Sequence, residues 1–192
     1  VSDAHAPAIL SMSTFESGTR AEESTRKAHE STRDKATNPF INLYENFLLS
    51  SENWQEYDVV GISIVGISQI IPGLTLARMI KEKYPHLHIT LGGPIFSVNA
   101  GQLIGHPEFF DDFCHSVVTF EGEEPMHRLL SALKAGNSLS TVPNLLHLDG
   151  REVVQNKERV ELRFEELPNP DFEGLPMDKY LSPYPILPVL QS

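Results

Sequence analysis

The chain has 192 residues with 15 Lys+Arg against 26 Asp+Glu, a net charge of −11, and 40% hydrophobic residues, enough for one domain with a real core plus an appendage. An acidic chain without any Lys/Arg-rich stretch does not suit nucleic acid, whose phosphates need clustered cations. Its longest apolar run, Val59 to Ile64, has a strand's length, so no membrane span is expected, and the single Cys114 excludes a disulfide framework and implies a reduced, cytoplasmic setting.

Val1 is no initiator, the short apolar patch up to Leu10 has no basic region ahead of it, and the chain stops within the apolar phrase Leu187–Leu190. It therefore reads as a fragment of something longer. Residues 1–37 form a polar N-terminal segment. Within it, 16–37 mixes Glu, Arg, Lys and Asp with Ser and Thr and has no apolar stripe, so a solvated helix or an insert is expected there. Ala8 to Ser13 could be a strand.

Asn38-Pro39 is a helix start, an N-cap followed by proline at the first helical position. The spacing of Phe40, Ile41, Leu43, Tyr44, Phe47 and Leu48 then predicts a helix lying on a core. Tyr57 to Val65 reads as a strand buried on both faces. Gln69 to Tyr84 is an amphipathic helix carrying Ile70, Leu74, Ala77 and Ile80 on one stripe, and His88 to Leu91 is a second strand closed by Gly92-Gly93-Pro94. A helix over Ala100 to Phe113 broken near Pro107, a third strand Ser116 to Phe120, and a helix from Glu123 to Gly136 complete the alternation.

Strands and helices at this spacing predict an α/β fold, a Rossmann-like, doubly wound parallel sheet over residues 38–140. Residues 141–166 add a β-hairpin around Asp149-Gly150. Six prolines between Pro168 and Pro188 make 167–192 a stiff linker.

In an open parallel sheet, ligands bind beyond the carboxyl ends of the strands. Three segments fall there: Ser63 to Gln69, Gly92-Gly93-Pro94, and Phe120 to Glu123. Glycines let a backbone approach a ligand, and hydroxyls or amides at helix starts hold phosphate or amide groups. A tight turn explains Gly-Gly equally well.

Ser63-x-Val65 followed by 26 residues (66–91) and then Gly92-Gly93 resembles half of the pattern of cobalamin-binding domains. The phrases Tyr57 to Ser63, Thr90 to Pro94 and Glu121-Gly122-Glu123, then the hairpin, Leu167-Pro168-Asn169-Pro170-Asp171-Phe172 and Tyr180, resemble the N-terminal B12-binding domain of B12-binding radical SAM proteins and its bridge to a catalytic barrel. The resemblance implies a cobalamin-binding module, not catalytic alone, of a methyltransferase-type radical SAM enzyme. It implies Ser63, Val65, Gly66, Gln69, Gly92, Gly93, Glu121 and Gly122 as the cofactor-lining residues. The implied partner is the radical SAM barrel of the same parent chain, which would hold the [4Fe–4S] cluster and S-adenosylmethionine that one cysteine cannot support.

Two departures stand out. The family's Asp-x-His-x-x-Gly, which supplies a histidine to cobalt, would fall near Glu16 to Ala21, where no histidine stands; Asp3-Ala4-His5 mimics it, but 54 residues (9–62) separate it from Ser63. Cobalamin held without a protein histidine is the implied mode. Phe120 replaces the first glycine of the family's Gly-Glu-Gly-Glu phrase.

Two other readings stay open: a degenerate domain serving as an interaction platform without a ligand, and a flavodoxin-like phosphate or nucleotide binder using Ser11 to Thr14 or Ser17 to Thr19. An open slot between the Ser63 and Gly92-Gly93 loops favours cobalamin, and bulky side chains filling it favour the platform. The remaining candidates have structural readings. His86-x-His88 is an exposed pair entering a strand, Glu123-Glu124 suit a helix N-terminus, and Cys114, with no Lys or Arg near it in sequence, is a buried small residue.

Overall fold

The computed structural model describes residues 9, 10, 15, 16, 21, 24–161, 169 and 171–176. The chain divides into two compact units, 1–161 and 162–192. In the second, the described residues form a turn in which Glu173 N donates to Asp171 Oδ1 and Gly174 has φ 84°. The proline-rich linker lies largely outside the described residues, as do His5 and the hydroxyl-rich stretches at 11–14 and 17–19.

The first unit is an α/β fold on a five-stranded sheet in the order β3-β4-β5-β6-β7, with β3 Val59–Ser63, β4 His88–Gly92, β5 Ser116–Val118, β6 Leu145–Asp149 and β7 Glu152–Gln155. The first three are parallel. The hairpin β6–β7 continues the same sheet antiparallel, with Ser116 beside His147 and His147 beside Val154. Its turn sits one residue later than expected: Asp149 pairs with Glu152, and Gly150 takes φ 64° at the first central position, as a II′ turn requires.

Helix α3 (Ile70–Lys83) connects β3 to β4, α4 (Pro94–Leu103) and α5 (Pro107–Phe113) connect β4 to β5, and α6 (Glu123–Ala135) follows β5. The break at Pro107 is where the sequence put it. Helix α4 begins earlier than expected because Pro94 serves as a first-turn proline after Gly93. Period-two alternation divides the sheet. Ile64, Ile89, Leu91 and Val117 face one way and pack with Ile71, Leu74, Ile80, Phe110 and Phe113 of α3 and α5. Val118 and Leu145 face the other way and pack with Leu129 and Ala132 of α6.

Strand β3 corrects an expectation. It was read as buried on both faces, yet Gly61 and Ser63 are exposed and Val59, Val60 and Ile62 only half-buried. The reason is its place: among the described residues β3 is the sheet edge, paired on one side by β4 alone. Of the segment expected as a fourth strand, the described residues Ile9–Leu10 form β1, which pairs antiparallel with β2 (Phe15–Glu16) in a separate two-stranded sheet. Edge position is a long-range property, and an apolar run does not encode it.

The 16–37 region also differs. Helix α1 (Thr25–Ser31), capped by Ser24, docks without an apolar stripe. Ala28 and Thr32 are buried, Arg78 of α3 donates to Thr32 O at 2.7 Å, and the buried Asn38 donates to Ser31 O and Thr75 Oγ1 at 3.0 and 2.8 Å. Asn38 Oδ1 also caps α2 (Pro39–Leu43) by accepting from Phe40 N. Small residues and buried hydrogen bonds do the work that large apolar side chains do elsewhere. On the helix that α2 opens, Ile41 is buried while Leu43 and Phe47 are exposed.

Candidate ligand-binding site

At the carboxyl ends of β3, β4 and β5 an open cavity of about 330 Å³ lies over the sheet, bordered by Gly93 and by the loop that follows β5. A volume near 300 Å³ is the lower end of ordinary small-molecule sites. Its floor is the sheet face carrying Gly61, Ser63, Thr90 and Gly92, and parallel register sets Gly61 beside Thr90 and Ser63 beside Gly92. Its walls are Gly93, Val118, Gly122 and the larger Phe120 and Met126.

Four of the eight residues singled out in the sequence, Ser63, Gly92, Gly93 and Gly122, line this cavity together. The other four stand outside its lining. Gln69 Oε1 accepts from Val65 N at 2.8 Å and Gly66 N at 3.2 Å, so those two amides are already partnered and the loop is tied to the start of α3. Val65 and Glu121 are exposed to solvent.

The two adjacent glycines are not equivalent. Gly93 has φ 111°, and a Cβ there would lie 2.3 Å from Ile64 O, so only glycine lets the β4–α4 turn close against the end of β3. A Cβ on Gly92 would meet only Val118 O at 3.6 Å, and one on Gly61 only Thr90 Cγ2 and Met126 Cε at 3.8 and 3.9 Å. Space above Gly61 and Gly92 is therefore real volume that a side chain could fill and none does.

Gly61 and Thr90 were not foreseen as lining residues. The signal was in the sequence: each precedes a foreseen residue, Ser63 or Gly92, by two positions, which on a strand is the same face. Below the cavity the face turns polar. Ser116 Oγ donates to Thr90 Oγ1 at 3.0 Å and takes His88 Nε2–H as its own donor at 2.9 Å. Burial first, then the nearby His115 and Lys81, pull the His88 pKa down to about 4, and burial does the same for His115, which accepts from Ile89 N. Both rings are thus neutral spacers between strands.

His88 is not the exposed residue expected. His86 is exposed, and its ring bonds Trp54 O at 3.2 Å, away from His88. Among the described residues no group of three or more His, Cys, Asp or Glu could hold a metal ion. Cys114 is fully buried as expected, although Lys81, remote in sequence, donates to its carbonyl at 3.0 Å. Burial outweighs that cation and pushes the thiol pKa up, so it is an inert thiol. Lys81 also donates to the carbonyls of Phe110 and Asp111 and closes the end of α5. Glu124 pairs with Arg128 at 2.7 Å one turn later in α6. No helix among the described residues is long and apolar enough to cross a membrane.

No family model matches the chain. It is similar to the uncharacterized methyltransferase PH0819 of Pyrococcus horikoshii, 27% identical over 124 residues, which cover 64% of this chain and 26% of that protein. Among solved structures it aligns with TsrM of Kitasatospora setae, a radical S-adenosylmethionine methyltransferase with cobalamin and a [4Fe-4S] cluster bound, at 20% identity and a TM-score of 0.43, over 70% of this chain and 24% of that one. The chain thus spans about a quarter of the length of either protein.

Proposed function

We propose that the chain is a cobalamin-binding module and that the cavity over the Gly61–Ser63 and Thr90–Gly93 face receives the cofactor's nucleotide tail. The observation that carries this reading is the unfilled volume above Gly61 and Gly92, on the face that also presents Ser63 and Thr90. A ligand explains why two floor positions stay glycine although a Cβ would fit at each, and a bare platform has no such need. The nucleotide-binder reading rests on stretches outside the described residues.

The residues fit the group. Gly61 and Gly92 leave the sheet backbone open to a flat ring, and the exposed Ser63 hydroxyl offers a hydrogen bond to its substituents. Bound cobalamin supplies cobalt-centred methyl-transfer chemistry. The chain's own part is to hold and orient the tail and to shelter it from water. The likeness to an uncharacterized methyltransferase agrees with a parent enzyme that transfers methyl groups, and the [4Fe–4S] cluster, S-adenosylmethionine and a radical SAM barrel belong to that parent in this reading.

The test is retention of hydroxocobalamin by the purified chain after desalting, read as a visible spectrum. A base-off spectrum in the protein fraction is expected, and Gly61→Phe, which fills the cavity, should abolish it while the chain stays folded. A colourless fraction from the folded chain, or equal retention by Gly61→Phe, would overturn the reading.

A further inference from the structure

Two described non-glycine residues have φ in the left-handed region, Phe120 at 60° and Asn144 at 54°. Asn144 is at home there, because asparagine tolerates that region and its side chain bonds both Val160 O and Val160 N. Phe120 has no such compensation, and a glycine at this position would make the turn without strain.

The surroundings nevertheless hold Phe120 firmly. Its amide donates to Ser97 Oγ of α4 at 2.7 Å, and the Arg159 guanidinium lies 3.8 Å from its ring centroid. Arg159 pairs in turn with the exposed Glu161 at 3.3 Å. The ring does not serve the core: it is 40% exposed and belongs to neither apolar cluster. Phe120 lines both the cavity and the neighbouring groove that contains Arg159, whereas Arg159 lines only the groove. Phe120 therefore stands between the groove that holds Arg159 and the cavity over the glycine floor.

An exposed aromatic residue and a floor of glycines lining one cavity suit a flat ring. We propose that Phe120 is a specificity-determining residue that stacks on the heteroaromatic base of the ligand's nucleotide tail, with Arg159 and Ser97 holding it in place. The assignment rests on the cobalamin reading above. It explains why a strained phenylalanine stands where glycine would fit, and it predicts discrimination between corrinoids with and without a tail base.

The experiment titrates the chain, Phe120→Gly and Phe120→Tyr with hydroxocobalamin and with dicyanocobinamide, which lacks the nucleotide, and records a melting curve for each. Phe120→Gly should bind hydroxocobalamin about tenfold or more weakly, the scale of one lost base–aromatic stack. It should bind dicyanocobinamide like the unaltered chain and melt no lower, because its backbone is relieved. Phe120→Tyr should keep the preference for hydroxocobalamin. Equal weakening for both corrinoids, or none, would overturn the assignment while the cobalamin reading stood. If the unaltered chain bound neither corrinoid, the cobalamin reading itself would fail and Phe120 would fall with it.

Discussion

The two faces of the parallel strands are built from alternate residues of the same short segments, yet they differ in kind. One face presents Ile64, Ile89, Leu91 and Val117, all within 1% of full burial under α3 and α5. The other presents Gly61, Ser63, Thr90 and Gly92 beside a cavity, and His88 and Ser116 below it. Close packing of large side chains holds the first, as burial of a Leu or Ile contributes roughly 1.5–3 kcal/mol. The second packs Val118 and Leu145 under α6 but keeps room over β3 and β4. The cavity therefore occupies only the β3–β4 part of a face whose remainder is packed under α6.

The sharpest place to break this division is Gly93, where the two faces share a backbone. Gly93→Ala forces a Cβ to within 2.3 Å of Ile64 O at a φ of 111° and should cost about 3 kcal/mol or more, enough to unfold much of the population. Gly92→Ala, one residue away, should cost less than about 1 kcal/mol, since its Cβ meets only Val118 O at 3.6 Å. Denaturant midpoints of the two variants check this. Equal midpoints would mean that the adjacent glycines do not divide into a structural and a cavity-forming one.

How much of this was legible in the sequence follows the range of the interactions. The helices announced themselves through local chemistry: Asn38-Pro39, the stripe from Ile70 to Ile80, and Gly136, which ends α6 in the left-handed conformation at φ 66°. The three parallel strands were legible because each is an apolar run between turn signals. Their neighbours were not, since nothing in Val59–Ser63 distinguishes an edge strand from a central one, and the antiparallel hairpin joining β5 depends on pairing across some 30 residues. Docking of α1 stayed hidden because Ala28, Thr32 and the Arg78–Thr32 bond leave no hydrophobic period to count. At the cavity, Ser63 and the glycines were found from loop position. Gly61 and Thr90 needed the register, and Gln69 turned out to spend its side chain on its own loop.

Acid should expose the difference between the faces, because the apolar one has nothing to titrate and the polar one has His88. Its folded pKa of about 4 lies below the ordinary 6.5, so the unfolded chain binds more protons between those values. Stability from this group is therefore complete above pH 6.5 and is lost as pH falls toward 4. His115, also lowered to about 4, adds to the same window. His88→Gln keeps a donor for Ser116 but removes the titration. It should flatten the fall in stability between pH 6.5 and 4 by on the order of 1–2 kcal/mol, less than the full shift implies because the ring is partly open to water. Urea midpoints at several pH values, compared between variant and unaltered chain, read this directly. Parallel curves would mean that His88 charges in the folded state after all.

The smallest expected effect is the most diagnostic, because its two readouts move in opposite directions. A glycine within a strand costs roughly 0.5–1 kcal/mol relative to alanine, so Gly61→Ala should raise stability by up to about that amount, given that its Cβ meets Thr90 Cγ2 and Met126 Cε at ordinary contact distances of 3.8 and 3.9 Å. The same methyl group narrows the cavity floor and should weaken retention of hydroxocobalamin. A change that strengthens the fold and weakens binding identifies Gly61 as a position kept small for the ligand's sake. Had Gly61 been a structural glycine like Gly93, the substitution would lower both together; if the cavity received no ligand, only the stability would change.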